Sequence, residues 1–316
     1  LIPRAEHPVR AIGNADYSLE YYYATIGSRF LMQSGVPYGY DPRFLSGYVK
    51  TPLYNPSSIP FEVSLYLFRD FPPALVFNRT VFVLLALTPF LLYAAAVNFG
   101  LTPYERLALV ALLLIPPQTL EPRLLLFTFM QASGMVAFIF ASFLSVYIVS
   151  LLYRFLVRGS WSAAVPLVVS APLLFIVHPI SSLFTLPAVA YLYLTRLRRI
   201  ALRQHAVLWL VQVLVIAAMW PWIGDASNLR NLFHGEATDF FAVANGSLLG
   251  PLSTFLRAPT IFARLPLVFA GVGLLLWNNA GERERPRFFL FQILSVAMLA
   301  YYGDHFGLAS AAPGRF

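Results

Sequence analysis

Residues 161–195 read WSAAVPLVVSAPLLFIVHPISSLFTLPAVAYLYLT, without a single Asp, Glu, Lys or Arg. A run this apolar is either one kinked membrane helix or two helices turning at His178-Pro179, since proline removes a backbone donor and disfavours helix in the residue before it. The flanking charges discriminate. Arg154 and Arg158 precede the run, and Arg196, Arg198, Arg199 and Arg203 follow it. Two helices put both clusters on one side of a bilayer, whereas one helix separates them. Short basic loops collect on the cytoplasmic side, so the reading is two helices.

The rest of the chain fits a bilayer as solvent. Its 316 residues are 59% hydrophobic and 11% charged, with mean hydropathy +0.69, whereas soluble domains carry about a quarter charged residues. One core cannot hide so much apolar surface, which excludes an ordinary cytosolic enzyme. The expected fold class is an all-α integral membrane protein. With no cysteine in the chain, disulfides, thiol catalysis and zinc–thiolate sites are excluded. The net charge of +8 comes from arginines and one lysine, Lys50, clustered between apolar runs. These are topology signals rather than a nucleic-acid surface.

Residues 1–73 form an expected extracytoplasmic segment of amphipathic helices and loops, rich in Tyr and Pro. A polytopic domain over 74–302 follows, with crossings expected at 75–98, 107–120, 124–152, 161–177, 179–195, 206–222, 262–279 and 288–302. The segment 107–120 is short enough to be broken or re-entrant. A polar outer loop occupies 223–261, and 303–316 begins a further outer segment. The polar start and the abrupt end at Arg315-Phe316 lead to the expectation of a piece of a longer membrane protein, lacking an N-terminal crossing. About eight crossings leave both ends outside. The inner loops 99–106, 153–160, 196–205 and 280–287 then hold ten of the 22 basic residues, while Glu105, Glu282 and Glu284 are the inner carboxylates out of 14. The polar chemistry faces outward, at the membrane of a prokaryotic cell.

Four outer features can carry chemistry. Asn14 can cap a helix whose first turn holds Asp16, and Glu20 lies four residues on, so both carboxylates share one face beside Tyr21, Tyr22 and Tyr23. They suit orientation of a sugar hydroxyl or a divalent cation, but the pattern alone fits first an amphipathic helix on the membrane surface. The stretch Gly39-Tyr-Asp41-Pro-Arg-Phe-Leu-Ser-Gly47-Tyr48 reads as an ordered loop in which Asp41 contacts substrate or caps a turn. His178 at the outer turn can shuttle a proton, touch phosphate, or cap helix ends. Beyond the last crossing, His305 and Arg315 can meet a lipid phosphate. Asp225 and Asp239 lack metal-ligand spacing. Gly-rich phosphate loops, Gly-x-Ser-x-Gly and His-Glu-x-x-His are absent from the sequence, and nearly charge-free spans argue against a pump.

The sequence resembles the GT-C superfamily of polytopic glycosyltransferases. Closest in look are the membrane proteins grouped as related to 6-pyruvoyl-tetrahydropterin synthase, the mannosyltransferase-like group and the YfhO-like group. The resemblance rests on Asp16, on Tyr40-Asp41-Pro42 with Gly47-Tyr48 and Tyr54-x-Pro56, on His178-Pro179, and on Pro313-x-Arg315-Phe316. It implies hexosyl or pentosyl transfer from a polyprenyl-phosphate-linked donor to an extracytoplasmic acceptor. Asp16 is then the implied base, with Glu20 beside it. Arg315, with His305 or His178, would meet the lipid phosphate, and Asp41 would contact the substrate. A cation such as Mg or Mn would draw on Asp16 and Asp225 or Asp239. The alternative from another class is a non-enzymatic membrane protein: a lipid-linked-sugar flippase or transporter, or an envelope-assembly subunit.

Overall fold

The computed structural model describes residues 17–43, 47–50, 58–114, 136–178, 181–182, 185–232, 288–289 and 291–292. These are mostly helical: α1 Tyr17–Ser34, α2 Ile59–Leu67, α3 Pro73–Phe99, α4 Pro103–Leu114, α5 Val136–Val157, α6 Ala164–Val177, α7 Leu186–Arg196 and α8 Leu202–Leu232. Two short strands, β1 Gly39–Asp41 and β2 Tyr48–Lys50, form an antiparallel hairpin between α1 and α2.

Among the described residues, three helices are long and apolar enough to cross a membrane: Pro73–Phe99, Val136–Val157 and the Leu202–Pro221 part of α8. At about 1.5 Å per residue, a span of about 20 residues covers the hydrocarbon core. The chain is a helical membrane protein. These helices correspond to the segments expected at 75–98, 124–152 and 206–222, with two shifts. Helix α5 runs on to Val157, so Arg154 lies in its last turn rather than in a loop. Nothing stops the helix before Gly159, whose φ of +65° suits glycine. Helix α8 continues to Leu232, past the expected boundary at 223. No Gly or Pro follows Gly224 within it to interrupt the hydrogen-bond ladder.

The break inside 161–195 is present. Helix α6 stops at Val177, and His178 is extended (φ −160°, ψ 95°) while its N–H still reaches the Leu174 carbonyl. Pro179 disfavours helix at the residue before it. Helix α7 has 11 residues, below crossing length. Helix α4 is described to Leu114. The crossings expected at 262–279 and 288–302 lie outside the described residues, apart from the helical Phe288, Phe289, Phe291 and Gln292.

The chain divides into two compact units, Leu1–Leu183 with Ile200–Ala226, and Phe184–Arg199 with Ser227–Phe316. In the first, α5 is the central helix: 78% of its apolar window is buried, against 28% for α3. The C-terminal ends of α3 and α5 meet, where Asn98 Nδ2 donates to Ser150 Oγ at 3.0 Å. Helix α3 closes in a Schellman motif, with Gly100 at φ +74° and the Leu101 N–H on the Ala96 carbonyl. Arg158 donates to the Phe99 carbonyl at 3.1 Å, and Gln204 Nε2 to the Phe155 carbonyl at 3.1 Å. The loops after α3 and α5 and the start of α8 therefore share one end of this unit, as the charge pattern requires. In the second unit, Tyr191 of α7 stacks on Phe288 and Phe291, with centroids 5.7 and 4.8 Å apart.

Candidate functional site

At the other end of the first unit, α1, the hairpin and α2 form a cap on the N-terminal part of α3. Helix α1 packs on α2, and both touch α3. The aromatic seam is Tyr21 on Phe77 at 5.2 Å and Phe61 on Phe77 at 4.9 Å, edge-to-face or tilted as ring quadrupoles favour. Helix α2 also touches α6, which runs from the arginine end toward the cap.

The cap is held from inside by an ion pair. Lys50 Nζ lies 2.6 Å from Glu62 Oε1, and the two side chains are 1% and 0% exposed. The Ser58 hydroxyl donates to the same carboxylate oxygen, instead of capping the backbone of α2. Among the described residues Glu62 Oε2 has no hydrogen-bond partner. Helix α1 passes directly over this carboxylate. A Cβ on Gly27 would collide with Glu62 Cδ, so glycine is needed for the close approach. Burial pushes the Glu62 carboxyl above its ordinary value, against the opposing pull of Lys50 and Ser58.

The hairpin is tied to α1 by a second contact. The Tyr22 hydroxyl donates to Asp41 Oδ2 at 2.5 Å, and the Arg43 N–H donates to Asp41 Oδ1 at 3.2 Å in an Asx turn. Asp41 is covered by its own hairpin and by Tyr22 but sits at the rim of the cap. The Tyr22 hydrogen bond therefore dominates and holds its carboxyl below the usual range. Burial, then the adjacent carboxylate, push the Tyr22 hydroxyl above its ordinary value. The expected ordered loop at 39–48 is thus a hairpin whose register pairs Asp41 with Tyr48. Asp41 serves that turn and anchors α1.

Glu20 lies in the first turn of α1, half-buried, with Oε2 shielded from solvent. Asp16 and its expected cap Asn14 lie outside the described residues, Asp16 directly before Tyr17. His178 is buried at the turn after α6. Its Nδ1 accepts the Ser181 N–H at 3.2 Å and meets Ser181 Oγ at 2.9 Å. Its ring is edge-on to Phe138 at 5.2 Å, near the start of α5. An Nδ1 that accepts a backbone N–H leaves the proton of the neutral ring on Nε2. His178 therefore caps its turn, with Nε2 remaining for other contacts. Asp225 falls on α8 rather than in a loop. Asp239, His305 and Arg315 lie outside the described residues. Among the described residues no group of three or more His, Asp or Glu could hold a metal ion.

The sequence reading missed Lys50–Glu62 and the Tyr22–Asp41 bond. Two signals were available, the first being that Lys50 is the only lysine in a chain that otherwise uses arginine. A compact ammonium fits a closed pocket beside one carboxylate better than a planar fork does. Glu62 within an apolar helix was the second signal. No protein-family model, curated protein or solved structure matches the chain.

Proposed function

We propose that the chain is a GT-C-like membrane glycosyltransferase, with eight crossings over this stretch and its chemistry on the extracytoplasmic face. The donor is a polyprenyl-phosphate-linked sugar reaching the cap sideways from the membrane. The observation that carries this reading is the uneven charge balance of the two ends of the first unit: among the described residues the cap end holds the carboxylates Glu20, Asp41, Glu62 and Asp70 alongside Arg29, Arg43, Lys50 and Arg69, while the other end holds Arg106, Arg154, Arg158 and Arg203 with Glu105 as its carboxylate. Positive loops stay cytoplasmic, which puts the cap outside. Asp16, next to the first described turn of α1, takes the proton of the acceptor hydroxyl as that oxygen attacks the anomeric carbon. The bond from that carbon to the phosphate oxygen breaks, and the phosphate leaves with the electron pair. Glu20 orients the acceptor, and Arg315 with His305 offsets the charge on the leaving phosphate. A cation such as Mg or Mn would draw on Asp16 and on Asp225 or Asp239.

The test uses the full chain in proteoliposomes with polyprenyl-phosphate-[3H]mannose, -glucose or -arabinose, reading release of polyprenyl phosphate. Asp16→Asn is expected to slow release by about 10²–10⁴-fold, the worth of a positioned base. Unchanged release sinks the catalytic reading. Movement of the labelled lipid across the bilayer without sugar release would favour a flippase instead.

A further inference from the structure

We propose that the arginine end of the first unit binds the phosphate headgroup of an anionic membrane phospholipid. Arg154 sets the site. Its Nη1 donates to Asn98 Oδ1 at 3.1 Å, its Nε to Ser160 Oγ at 3.2 Å and its Nη2 to Ser162 Oγ at 3.0 Å. All three acceptors are neutral. They fix the plane of the guanidinium without compensating its charge, and each Nη keeps a second N–H for an outside oxygen. Arg158 and Arg106 are also held by neutral acceptors, the carbonyls of Phe99 at 3.1 Å and Leu101 at 2.7 Å. Glu105, the carboxylate in these loops among the described residues, accepts the Thr102 N–H at 2.6 Å and closes the first turn of its own helix.

Depth and surroundings identify the anion. The site lies where the membrane-crossing helices α3 and α5 end, at headgroup level. Trp161 is 40% exposed there, with Arg203 over its ring at 5.0 Å, and indole side chains favour the membrane interface. Ser160 and Ser162, with hydroxyls 2.9 Å apart, can turn toward phosphate oxygens. A planar guanidinium fork fits two oxygens of one phosphate. An anion arriving on a lipid reaches this level without leaving the membrane, and its acyl chains can lie along the exposed face of α3.

The test is native mass spectrometry of the full chain in detergent, with added phosphatidylglycerol or phosphatidylcholine. The wild type is expected to retain phosphatidylglycerol in preference. An interfacial arginine is worth about fivefold in binding to anionic lipid, so R158Q/R203Q should reduce the preference by about 20- to 30-fold. R69Q, on the exposed cap-side Arg69, should leave it unchanged. Arg154→Gln should deepen the loss, and its melting temperature is recorded because Arg154 also joins α3, α5 and the 161–163 turn. If that variant does not fold, R158Q/R203Q, at two exposed side chains, carries the test. Equal retention of both lipids, or an undiminished preference in R158Q/R203Q, overturns the proposal. So does displacement of the lipid by millimolar inorganic phosphate, which would make this a site for free phosphate.

Discussion

Lys50 and Glu62 form an ion pair at 2.6 Å with both side chains shut off from solvent, and the pair locks the hairpin to α2 beneath α1. Removing one partner of a buried pair leaves the other charge without compensation, which costs about 3–5 kcal/mol. Glu62→Gln and Lys50→Met should each lower the melting temperature of the full chain in detergent. The double variant Lys50→Met/Glu62→Leu should be less damaging than the two single effects added. Additive losses would show that the pair does not act as a unit.

Gly27 is the steric counterpart of that pair. Gly27→Ala drives a methyl into Glu62 Cδ, and overpacking of this kind costs about 1–3 kcal/mol. The same substitution should cost less in a Glu62→Ala background, measured by thermal unfolding of the four chains of the cycle. Equal cost in both backgrounds would place the strain elsewhere.

The Tyr22–Asp41 bond gives the cap a pH dependence with a definite sign. The Asp41 carboxyl is held below its ordinary value, so its contribution is present above the usual carboxylate range and is lost as pH falls through the folded value. The Tyr22 hydroxyl is held above 10.0, so its contribution is present below pH 10 and is lost as pH rises through the folded value. Amide exchange of residues 39–50, corrected for intrinsic rates, should accelerate below about pH 4 in the wild type. Tyr22→Phe should show faster exchange already at pH 7 and a weaker acid transition. An unaltered acid transition in Tyr22→Phe would assign it to another carboxylate.

At the arginine end, buried Asn98 bridges Ser150 and Arg154. Asn98→Ala leaves both partners short of a hydrogen bond and should cost about 1–3 kcal/mol, read as a lower melting temperature. A neutral result would mean that water replaces the amide without loss.

Much of the scaffold was legible because membrane helices announce themselves by length and composition. Segments 75–98 and 206–222 needed only apolar content, and the helix break at His178 followed from Pro179. Helix ends were harder, because the eye stops a span at its first charge. Arg154 and Asp225 nevertheless sit in continuing helices, since backbone hydrogen bonding does not end where lipid does. The cap was the least legible part. Local patterning marks Tyr22, Asp41, Lys50 and Glu62 as polar residues but says nothing of who partners whom. Those pairings depend on how the hairpin folds back onto α1 and α2.

In the proposed topology the cap and the arginine end face opposite sides of the membrane, with the cap outside. The absence of cysteine makes single-cysteine labelling clean. Val49→Cys places a thiol on the exposed face of the hairpin, and Tyr104→Cys places one at the start of α4, at positions 57% and 85% exposed. In intact cells expressing the full chain, an impermeant maleimide should label Val49→Cys, and should label Tyr104→Cys only after the membrane is opened. Labelling of both from outside, or of Tyr104→Cys alone, contradicts the orientation and the extracytoplasmic transferase built on it.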